Sequence, residues 1–357
     1  MIYVFKKLLI VFVAAVVLLA AGSGLWSWQG LQTLQQPVSL EEPVLFNVPP
    51  GTGFSQVARR LETEGFVSDA LWLRLYGRLN PEQTRIKAGD YEFLPGMTPL
   101  AMVEVMVEGK VKLWSVQFIE GWTFRDLRAA LARTERINKV TTDWSDDQVM
   151  SALGAEGQHP EGWFFPDTYL FSSADTDLDV LKRAYSRMVS LLEEEWQNRS
   201  EGLPYDTPYE ALIMASIVER ETGVPWERQE VAGVFVRRLQ KGMRLQTDPT
   251  VIYGMGDQYQ GRIRRSDLRA YTPYNTYRID GLPPTPIALS GRDSIHAALH
   301  PEEGDTYYFV ARGDGSHKFS RTLAEHQQAV REYQLNRRQD YRSSPAAGTL
   351  NENSREE

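Results

Sequence analysis

Two glutamates stand near the end of one apolar, helix-forming segment. Residues 211–223 read ALIMASIVERETG, and they are almost entirely apolar until Glu219, which Glu221 follows two positions later. Such a helix is expected to be buried, and burial raises the pKa of a carboxyl group until it can hold a proton near neutral pH, as a general acid must. At about 100° per residue the two glutamates face different sides of the helix. A salt bridge to a nearby arginine is the alternative role for either of them.

Three polar clusters follow this segment along the chain. They comprise residues 246–253, 275–278 and 315–322, and together they mix amide, hydroxyl, carboxylate and aromatic groups. This mixture suits a sugar, whose ring has apolar faces and whose edge carries hydroxyls. Solvated turns are the alternative reading of each cluster. The predicted substrate-binding residues are Gln246, Asp248, Thr250, Tyr253, Asn275, Tyr277, His317 and Ser320.

The composition argues against several other chemistries. The chain has 357 residues and no cysteine, which excludes disulfides, thiolate nucleophiles and cysteine-ligated metals. His296 and His300 are four residues apart, but no carboxylate or third histidine stands at metalloprotease spacing, so neither a metal nor another cofactor is predicted. Serine acyl-transfer motifs and phosphate-binding glycine loops are also missing. A net charge of −8 argues against a nucleic-acid partner.

An apolar segment near the N-terminus predicts a membrane anchor. Residues 8–28 form an uncharged stretch of 21 residues after Lys6 and Lys7, which is long enough to span a bilayer. Trp26 and Trp28 lie where an aromatic belt would sit, and the positive-inside rule keeps the two lysines cytoplasmic. A cleaved secretory signal is the alternative, since residues 20–23 are small. Either way, the working part is expected outside the cytoplasm. The anchor interpretation, which we favour, places the protein in the inner membrane as a single-pass protein with its catalytic domain in the periplasm.

The remaining chain is predicted to have an α+β fold in which strands, glycine turns and helices alternate. Residues 44–94 predict a strand-helix-helix-strand unit, with helices at about 55–64 and 68–79, which resembles a LysM domain by architecture. Further helices are predicted at about 177–199, 209–222, 225–241, 290–299 and 322–335, and a strand at 306–311. Residues 143–160 and most of 243–291 are predicted to be loops. The predicted domains are 1–30 (cytoplasmic tip and transmembrane helix), 31–42 (linker), 43–112 (LysM-like domain), 113–335 (mixed α+β catalytic domain) and 336–357 (disordered tail).

Several motifs together resemble one family, the endolytic murein transglycosylases of the MltG (YceG-like) type. They are ASIVERET at 215–222, GMRLQTDPTVIYG at 242–254, YNTY at 274–277, FPDTY at 165–169 and HKFSRT at 317–322. The resemblance covers about residues 1–335. It implies a lyase that cuts the MurNAc–GlcNAc β-1,4 bond within nascent glycan strands and leaves a 1,6-anhydro-MurNAc end. The family's catalytic glutamate falls on Glu219 in this sequence.

The resemblance also implies binding partners for the enzyme. Expected partners are peptidoglycan glycan strands and the inner membrane, together with penicillin-binding synthases and the division or elongation machinery.

One acid suffices for the lyase reaction, whereas hydrolysis by the usual routes needs a second carboxylate about 5 to 9 Å from the first. Glu221 is a poor second carboxylate because residues two apart on a helix diverge, which leaves Asp248. A hydrolytic muramidase and a non-catalytic peptidoglycan-binding protein are the alternative functions.

Overall fold

The computed structural model describes residues 2–336 of the chain. The predicted disordered tail, apart from its first residue, lies outside the described residues. Within them the chain forms two compact units, one of residues up to 114 together with 171–174, the other of residues 115–170 together with those from 175 onward. The predicted boundary between the LysM-like and catalytic domains, between residues 112 and 113, stays a prediction; the two compact units divide between residues 114 and 115.

The first unit begins with a long apolar helix, α1 (Ile2–Thr33). Its segment Phe5–Thr33 has 29 residues and is apolar enough to cross a membrane. The helix extends three residues past the predicted end at residue 30, and it ends where the Thr33 hydroxyl donates to the carbonyl of Gly30 at 2.6 Å. A single-pass anchor is compatible with this length and composition.

The rest of the first unit has the predicted βααβ order. Its elements are β1 (Val44–Val48), α2 (Phe54–Thr63), α3 (Ala70–Leu79), β2 (Gly89–Phe93) and a further helix, α4 (Pro99–Glu108). The two strands pair antiparallel, with Val44 opposite Phe93. Their inward side chains Phe46 and Phe93 stack at 5.2 Å and meet Phe66 edge-on, which forms the core under the helices. The likeness to a LysM domain stays a prediction.

The second unit carries every residue predicted to act on substrate. Its elements are β3 (Trp114–Gln117, from its second residue), α5 (Phe124–Arg133), α6 (Asp146–Ala152), β4 (Thr168–Phe171, up to Leu170), α7 (Asp177–Gln197), α8 (Pro208–Glu221), α9 (Arg228–Gln240), α10 (Asp248–Met255), α11 (Arg265–Arg269), α12 (Arg292–Leu299), β5 (Tyr308–Ala311), β6 (His317–Ser320) and α13 (Leu323–Val330). Strands β3 and β4 pair, and β5 and β6 form an antiparallel hairpin in which Ala311 lies opposite His317. The fold is therefore mixed, with helices predominating.

Helix α8 forms the centre of this unit. It starts at a capping box, in which Thr207 accepts from the backbone of Glu210, and Pro208 takes the first turn, where a missing N–H does no harm. All eight residues from Ala211 to Val218 are buried, and the helix packs against α7, α9 and α12. Because the apolar residues cover every side, the chain holds this helix rigidly, and its C-terminal end with both glutamates is fixed in place.

The structure differs from the sequence prediction in five short elements. Residues predicted as loops form α6, where Ser145 and Gln148 make a capping box, α10, where Pro249 lies in the first turn, and the five-residue α11. Strands β4 and β6 were not predicted, because each has only four residues, and β4 in addition depends on β3, a distant partner strand. The glycines around α10 explain the loop prediction, since Gly254 and Gly256 are poor helix formers.

Candidate active site

A cleft of 440 Å³ in the second unit gathers five side chains that carry chemistry. We name it the Glu221 cleft. Among its lining residues are Glu221, Gln246, Asp248, Tyr277 and His317, together with Arg238. Four of these, Gln246, Asp248, Tyr277 and His317, were predicted as substrate-binding residues, and they lie up to 71 positions apart along the chain. The three polar clusters of the sequence therefore meet at the end of α8.

Glu221 is the carboxyl group at the head of this cleft. Its Oε1 accepts a hydrogen bond from the Thr247 hydroxyl. Burial raises the pKa of Glu221, while the Thr247 hydrogen bond and the nearby His317 and Arg238 act in the lowering direction. Since burial is the largest cause, the carboxyl favours its protonated form more than a glutamate in water does. This is the property that a general acid needs.

The turn before α10 places two predicted residues against Glu221. Gln246 has a φ of 53°, a left-handed conformation that is uncommon for a residue other than glycine and is concentrated at functional sites. Its backbone N–H donates to the carbonyl of Thr276 at 3.2 Å. The Tyr277 hydroxyl donates to Oδ1 of Asp248 at 2.7 Å, and burial, together with this hydrogen bond, raises the pKa of the phenol. Asp248 is thus oriented by a tyrosine at the cleft wall.

His317 enters the cleft from the β5–β6 hairpin. Its Nδ1 lies 2.7 Å from Oε2 of Glu227, and its backbone N–H donates to Oε1 of the same carboxylate at 2.9 Å. Both side chains are close to buried, at 10% and 8% exposed. The ring also packs edge-on against Phe309 at 5.3 Å. His317 is therefore held in one orientation by a carboxylate from the segment that precedes α9.

Three predicted substrate-binding residues are buried and do not line the Glu221 cleft. Asn275 donates to the carbonyls of Asp267, Leu268 and Ala270 and is 1% exposed. Thr250 bonds the carbonyl of Thr247 and the hydroxyl of Thr276, and Ser320 is 4% exposed. These contacts hold the cleft walls together. A direct substrate contact for these three residues stays a prediction.

Tyr253 lines a second cleft, of 520 Å³, on the other face of α10. Its hydroxyl donates to Oε2 of Glu161 at 3.1 Å. Glu161 is 3% exposed, and its Oε1 accepts from the backbone N–H of Phe124 at 2.9 Å. Burial raises the pKa of Glu161 to about 7. Sequence reasoning missed this glutamate because its partner Tyr253 lies 92 positions later in the chain.

Glu219 lies apart from the residues that gather around Glu221. Its side chain is 6% exposed, Oε2 accepts from the backbone N–H of Gly291 at 3.0 Å, and Oε1 is 4.0 Å from the guanidinium of Arg228. Glu120 is its acidic neighbour, and burial and Glu219 both raise the pKa of Glu120. Glu219 thus lies among charged neighbours, Arg228 and Glu120, that are different from those of Glu221. Its role as the catalytic acid stays a prediction.

A third group of titratable side chains joins α7 to α12. Oε2 of Glu195 lies 2.9 Å from Nδ1 of His296 and 3.9 Å from Nε2 of His300, and the two imidazole rings stack at 4.3 Å. The sequence showed the two histidines but not this carboxylate, which lies about 100 positions earlier. Arg292 also pairs with Glu195 at 3.2 Å, so the carboxylate already has cationic and imidazole partners.

Comparison with known proteins agrees with the motifs of the site. The model of the YceG-like family matches residues 46–332, which include the first unit from β1 onward, and every lining residue of the Glu221 cleft except Gln334. The chain belongs to the YceG-like family. The match begins in β1 and runs to the short helical turn after α13.

Relatives and a solved structure are similar over most of the chain. An endolytic murein transglycosylase of Bacillus subtilis is 30% identical over 321 residues, which are 85% of this chain and 88% of that protein. One from Streptococcus pneumoniae is 25% identical, and the alignment spans 92% of this chain but only 65% of that longer protein. The crystal structure of a YceG-like protein from Listeria monocytogenes has a TM-score of 0.52 at 30% identity, and the match covers 81% of this chain and 99% of the other.

Proposed function

We propose that this chain is an endolytic murein transglycosylase, a lyase that cuts the MurNAc–GlcNAc β-1,4 bond of peptidoglycan strands and leaves 1,6-anhydro-MurNAc ends. The names of the relatives support the activity and the polymer. The observation that carries the chemistry is a carboxyl group of raised pKa, Glu221, in a cleft lined with amide, phenol, carboxylate and imidazole groups. A glycan strand offers the hydroxyls and ring faces that such a wall can bind.

One carboxyl group is enough for this reaction. The protonated glutamate donates its proton to the glycosidic oxygen as the bond from C1 of MurNAc breaks, and the GlcNAc leaves with a free hydroxyl. The C6 hydroxyl of MurNAc then attacks C1, and the carboxylate takes the proton of that hydroxyl. The glutamate ends as it began, no water is consumed, and the anhydro ring is closed.

The neighbouring residues serve this cycle by position and charge. His317 lowers the pKa of Glu221 against the effect of burial, so it stabilises the carboxylate that forms after proton donation. Asp248 and Gln246 stand at the wall where sugar hydroxyls would bind, and Tyr277 orients Asp248. The buried residues Thr250 and Asn275 support these walls from behind through their hydrogen bonds.

Two glutamates of α8 compete for the role of acid. The family motif favours Glu219, whereas the cleft geometry favours Glu221, because the other predicted sugar-binding groups line the cleft of Glu221. Glu219 is engaged with Gly291 and lies near Arg228. We therefore assign the acid to Glu221 and keep Glu219 as the alternative within the same reaction.

The apolar helix α1 supports an anchored enzyme. We place Lys6 and Lys7 in the cytoplasm and the two units in the periplasm, where the newest glycan strands lie close to the inner membrane. In this location the βααβ unit would bind glycan in the manner of a LysM domain, and penicillin-binding synthases and the division or elongation machinery would be partners. Anchoring alone favours cuts within membrane-proximal strands.

The test is product analysis on purified sacculi with detergent-solubilised full chain. Wild type should release muropeptides with anhydro ends, which are lighter than reducing ends by one water and so are separated by mass spectrometry. Glu221→Gln should lose this release, and Glu219→Gln should retain most of it. Glu303→Gln, a change on the exposed surface, is the matched control.

Each outcome assigns the chemistry differently. Loss in Glu219→Gln alone would move the acid to Glu219 and overturn the Glu221 assignment, while the lyase reaction would stand. Reducing ends from wild type would mean a muramidase, and the lyase proposal would be wrong. No cleavage by any variant, with sacculi still bound, would mean a binding protein.

A further inference from the structure

The second cleft of 520 Å³ lies directly beside the Glu221 cleft. Two pairs of consecutive residues divide between them: Arg220 lines the second cleft and Glu221 the first, while Pro249 lines the second and Asp248 the first. The end of α8 and the start of α10 thus form a shared wall. A polymer bound on both sides of this wall would contact both clefts.

The second cleft is built around tyrosines that the protein holds in fixed positions. The rings of Tyr253 and Tyr274 meet edge-on with centroids 4.9 Å apart. The Tyr253 hydroxyl donates to Glu161, and the Tyr274 hydroxyl lies 2.9 Å from that of Thr285. Tyr259 lines the same space from the loop after α10. Fixed aromatic faces bind apolar ring faces at little entropic cost.

The charges of this cleft balance. Arg125 and Arg220 are matched by Asp126 and Glu161. Each cation also has a partner, since Arg125 pairs with Asp257 and Arg220 donates to the carbonyl of Gly121 at 3.0 Å. The lining has as many acidic as basic side chains, so it has no excess of basic groups that would select a phosphate or another strong anion. Paired polar groups between aromatic faces suit a neutral ligand that carries hydroxyl and amide groups.

Glu161 marks the floor of the cleft as poor in water. The carboxyl is 3% exposed and is held by the Phe124 backbone N–H and the Tyr253 hydroxyl. Its raised pKa, about 7, has burial as its main cause. In a dry site the hydrogen bonds of a ligand contribute more than in water. The cleft volume also falls within the range of about 300–1,000 Å³ that is typical of ligand sites.

We propose that the second cleft binds N-acetylhexosamine residues of the same glycan strand, on the side of the scissile bond opposite to those in the Glu221 cleft. The inference rests on the proposed function, since a cut within a strand requires the polymer to continue on both sides of the bond. Binding energy gained in the second cleft positions the bond at the acid. The Tyr253, Tyr259 and Tyr274 rings supply the apolar faces, and Arg220 supplies polar groups, while the buried Glu161 holds the Tyr253 hydroxyl in place.

The direct test is binding to an inactive but intact enzyme. Glu221→Gln full chain in detergent is titrated calorimetrically with a peptide-free octasaccharide of alternating MurNAc and GlcNAc. Adding Tyr259→Ala should weaken binding about tenfold, as expected for loss of one stacking ring. Tyr259→Phe should keep the affinity, because it retains the ring. Tyr271→Ala, which removes a tyrosine that is 78% exposed, is the matched control.

Activity gives a second, independent readout. With Glu221 present, Tyr259→Ala should raise KM for glycan strands about tenfold and change kcat less, because it removes binding and not the acid. Unaltered octasaccharide affinity in Tyr259→Ala would overturn the second cleft as a glycan site, even if Glu221 proves to be the acid. Conversely, absence of anhydro products from wild type defeats the proposed reaction, while the titration still decides the cleft. Equal unfolding temperatures of the tyrosine variants exclude a loss through misfolding.

Discussion

Glu227 binds His317 through both carboxylate oxygens. Oε1 accepts from the backbone N–H of His317 at 2.9 Å, and Oε2 lies 2.7 Å from Nδ1 of its ring. Glu227 belongs to the short turn Pro225–Glu227, and His317 begins β6, so the contact ties two segments 90 positions apart. A carboxylate that accepts from Nδ1 fixes both the ring orientation and the tautomer. The Nε2 nitrogen is then the one that does not contact Glu227, and it is available to the cleft.

We expect Glu227→Gln to lower kcat about tenfold and to leave KM nearly unchanged. The amide still fills the space, but it no longer presents two equivalent acceptor oxygens, so the ring of His317 loses its fixed tautomer. Steady-state kinetics on glycan strands gives the split between kcat and KM. Nitrogen-15 chemical shifts of the imidazole, which differ between tautomers, report the same change directly.

The control for this prediction is Glu230→Gln, which alters a glutamate one helical turn further along α9. It should change neither kcat nor the imidazole shifts. If Glu227→Gln altered only the unfolding temperature, with kcat and tautomer as in wild type, Glu227 would be a structural residue and not a positioning one.

Glu221 should reduce stability at neutral pH. Burial raises its pKa in the folded chain above the unfolded value, so the folded state binds the proton more tightly. Stability is therefore highest below the unfolded pKa and falls as pH rises through the folded pKa. Glu221→Gln, which cannot become charged, is expected to unfold at a higher temperature than wild type at pH 8 and to lose this advantage at pH 4. Its activity should fall about 10²–10⁴-fold, the usual contribution of a general acid.

Thermal unfolding at pH 4 and pH 8 measures the difference in unfolding temperature between Glu221→Gln and wild type. Glu303→Gln, on the exposed surface, should show no pH-dependent difference from wild type. A variant that is less stable than wild type at pH 8 would mean that the hydrogen bond from Thr247 outweighs burial, and the raised pKa would be wrong.

Helices with strong local signals were predictable from the sequence. The prediction of 209–222 compares with Pro208–Glu221 in the structure, and that of 177–199 with Asp177–Gln197. Both begin at a threonine whose hydroxyl caps the helix by accepting from the backbone N–H three residues later, so the whole capping signal is contained in four consecutive residues. Such signals need no knowledge of the rest of the fold.

Features that depend on distant segments were not predictable in the same way. Gln246, Asp248 and Tyr277, which belong to the sequence motifs, line one cleft, but which α8 glutamate shares it depends on how α8 meets the turn before α10. Helical periodicity could not show this, because the residues from 211 to 218 are buried on every side. Glu161 and Glu227 were missed for a related reason, since each acts on a residue about 90 positions away.

Glu161 should give the second unit a pH-dependent stability of its own. Its pKa of about 7 in the folded chain compares with 4.5 for an ordinary glutamate, a difference equivalent to about 3 kcal/mol. Because the folded value is the higher one, this stability is present below pH 4.5 and is lost as pH rises towards 7. Glu161→Gln should remove most of this loss, since the amide oxygen still accepts from Phe124. Urea unfolding of both chains at pH 4.5, 6 and 7.5 measures it, and equal pH dependence would contradict it.

Replacing Gln246 by glycine should raise the stability of the chain and weaken its binding to glycan. Its φ of 53° is strained for a residue with a Cβ atom and relaxed for glycine. Gln246→Gly is therefore expected to stabilise the chain by about 0.5–1 kcal/mol, and at the same time to weaken glycan binding several-fold, because the amide at the cleft wall is lost. Gln246→Ala separates the two effects: it keeps the strain and loses the amide, so it should weaken binding without the gain in stability. If Gln246→Gly bound the octasaccharide as tightly as the parent chain, the backbone turn at this position would matter for binding and its side chain would not.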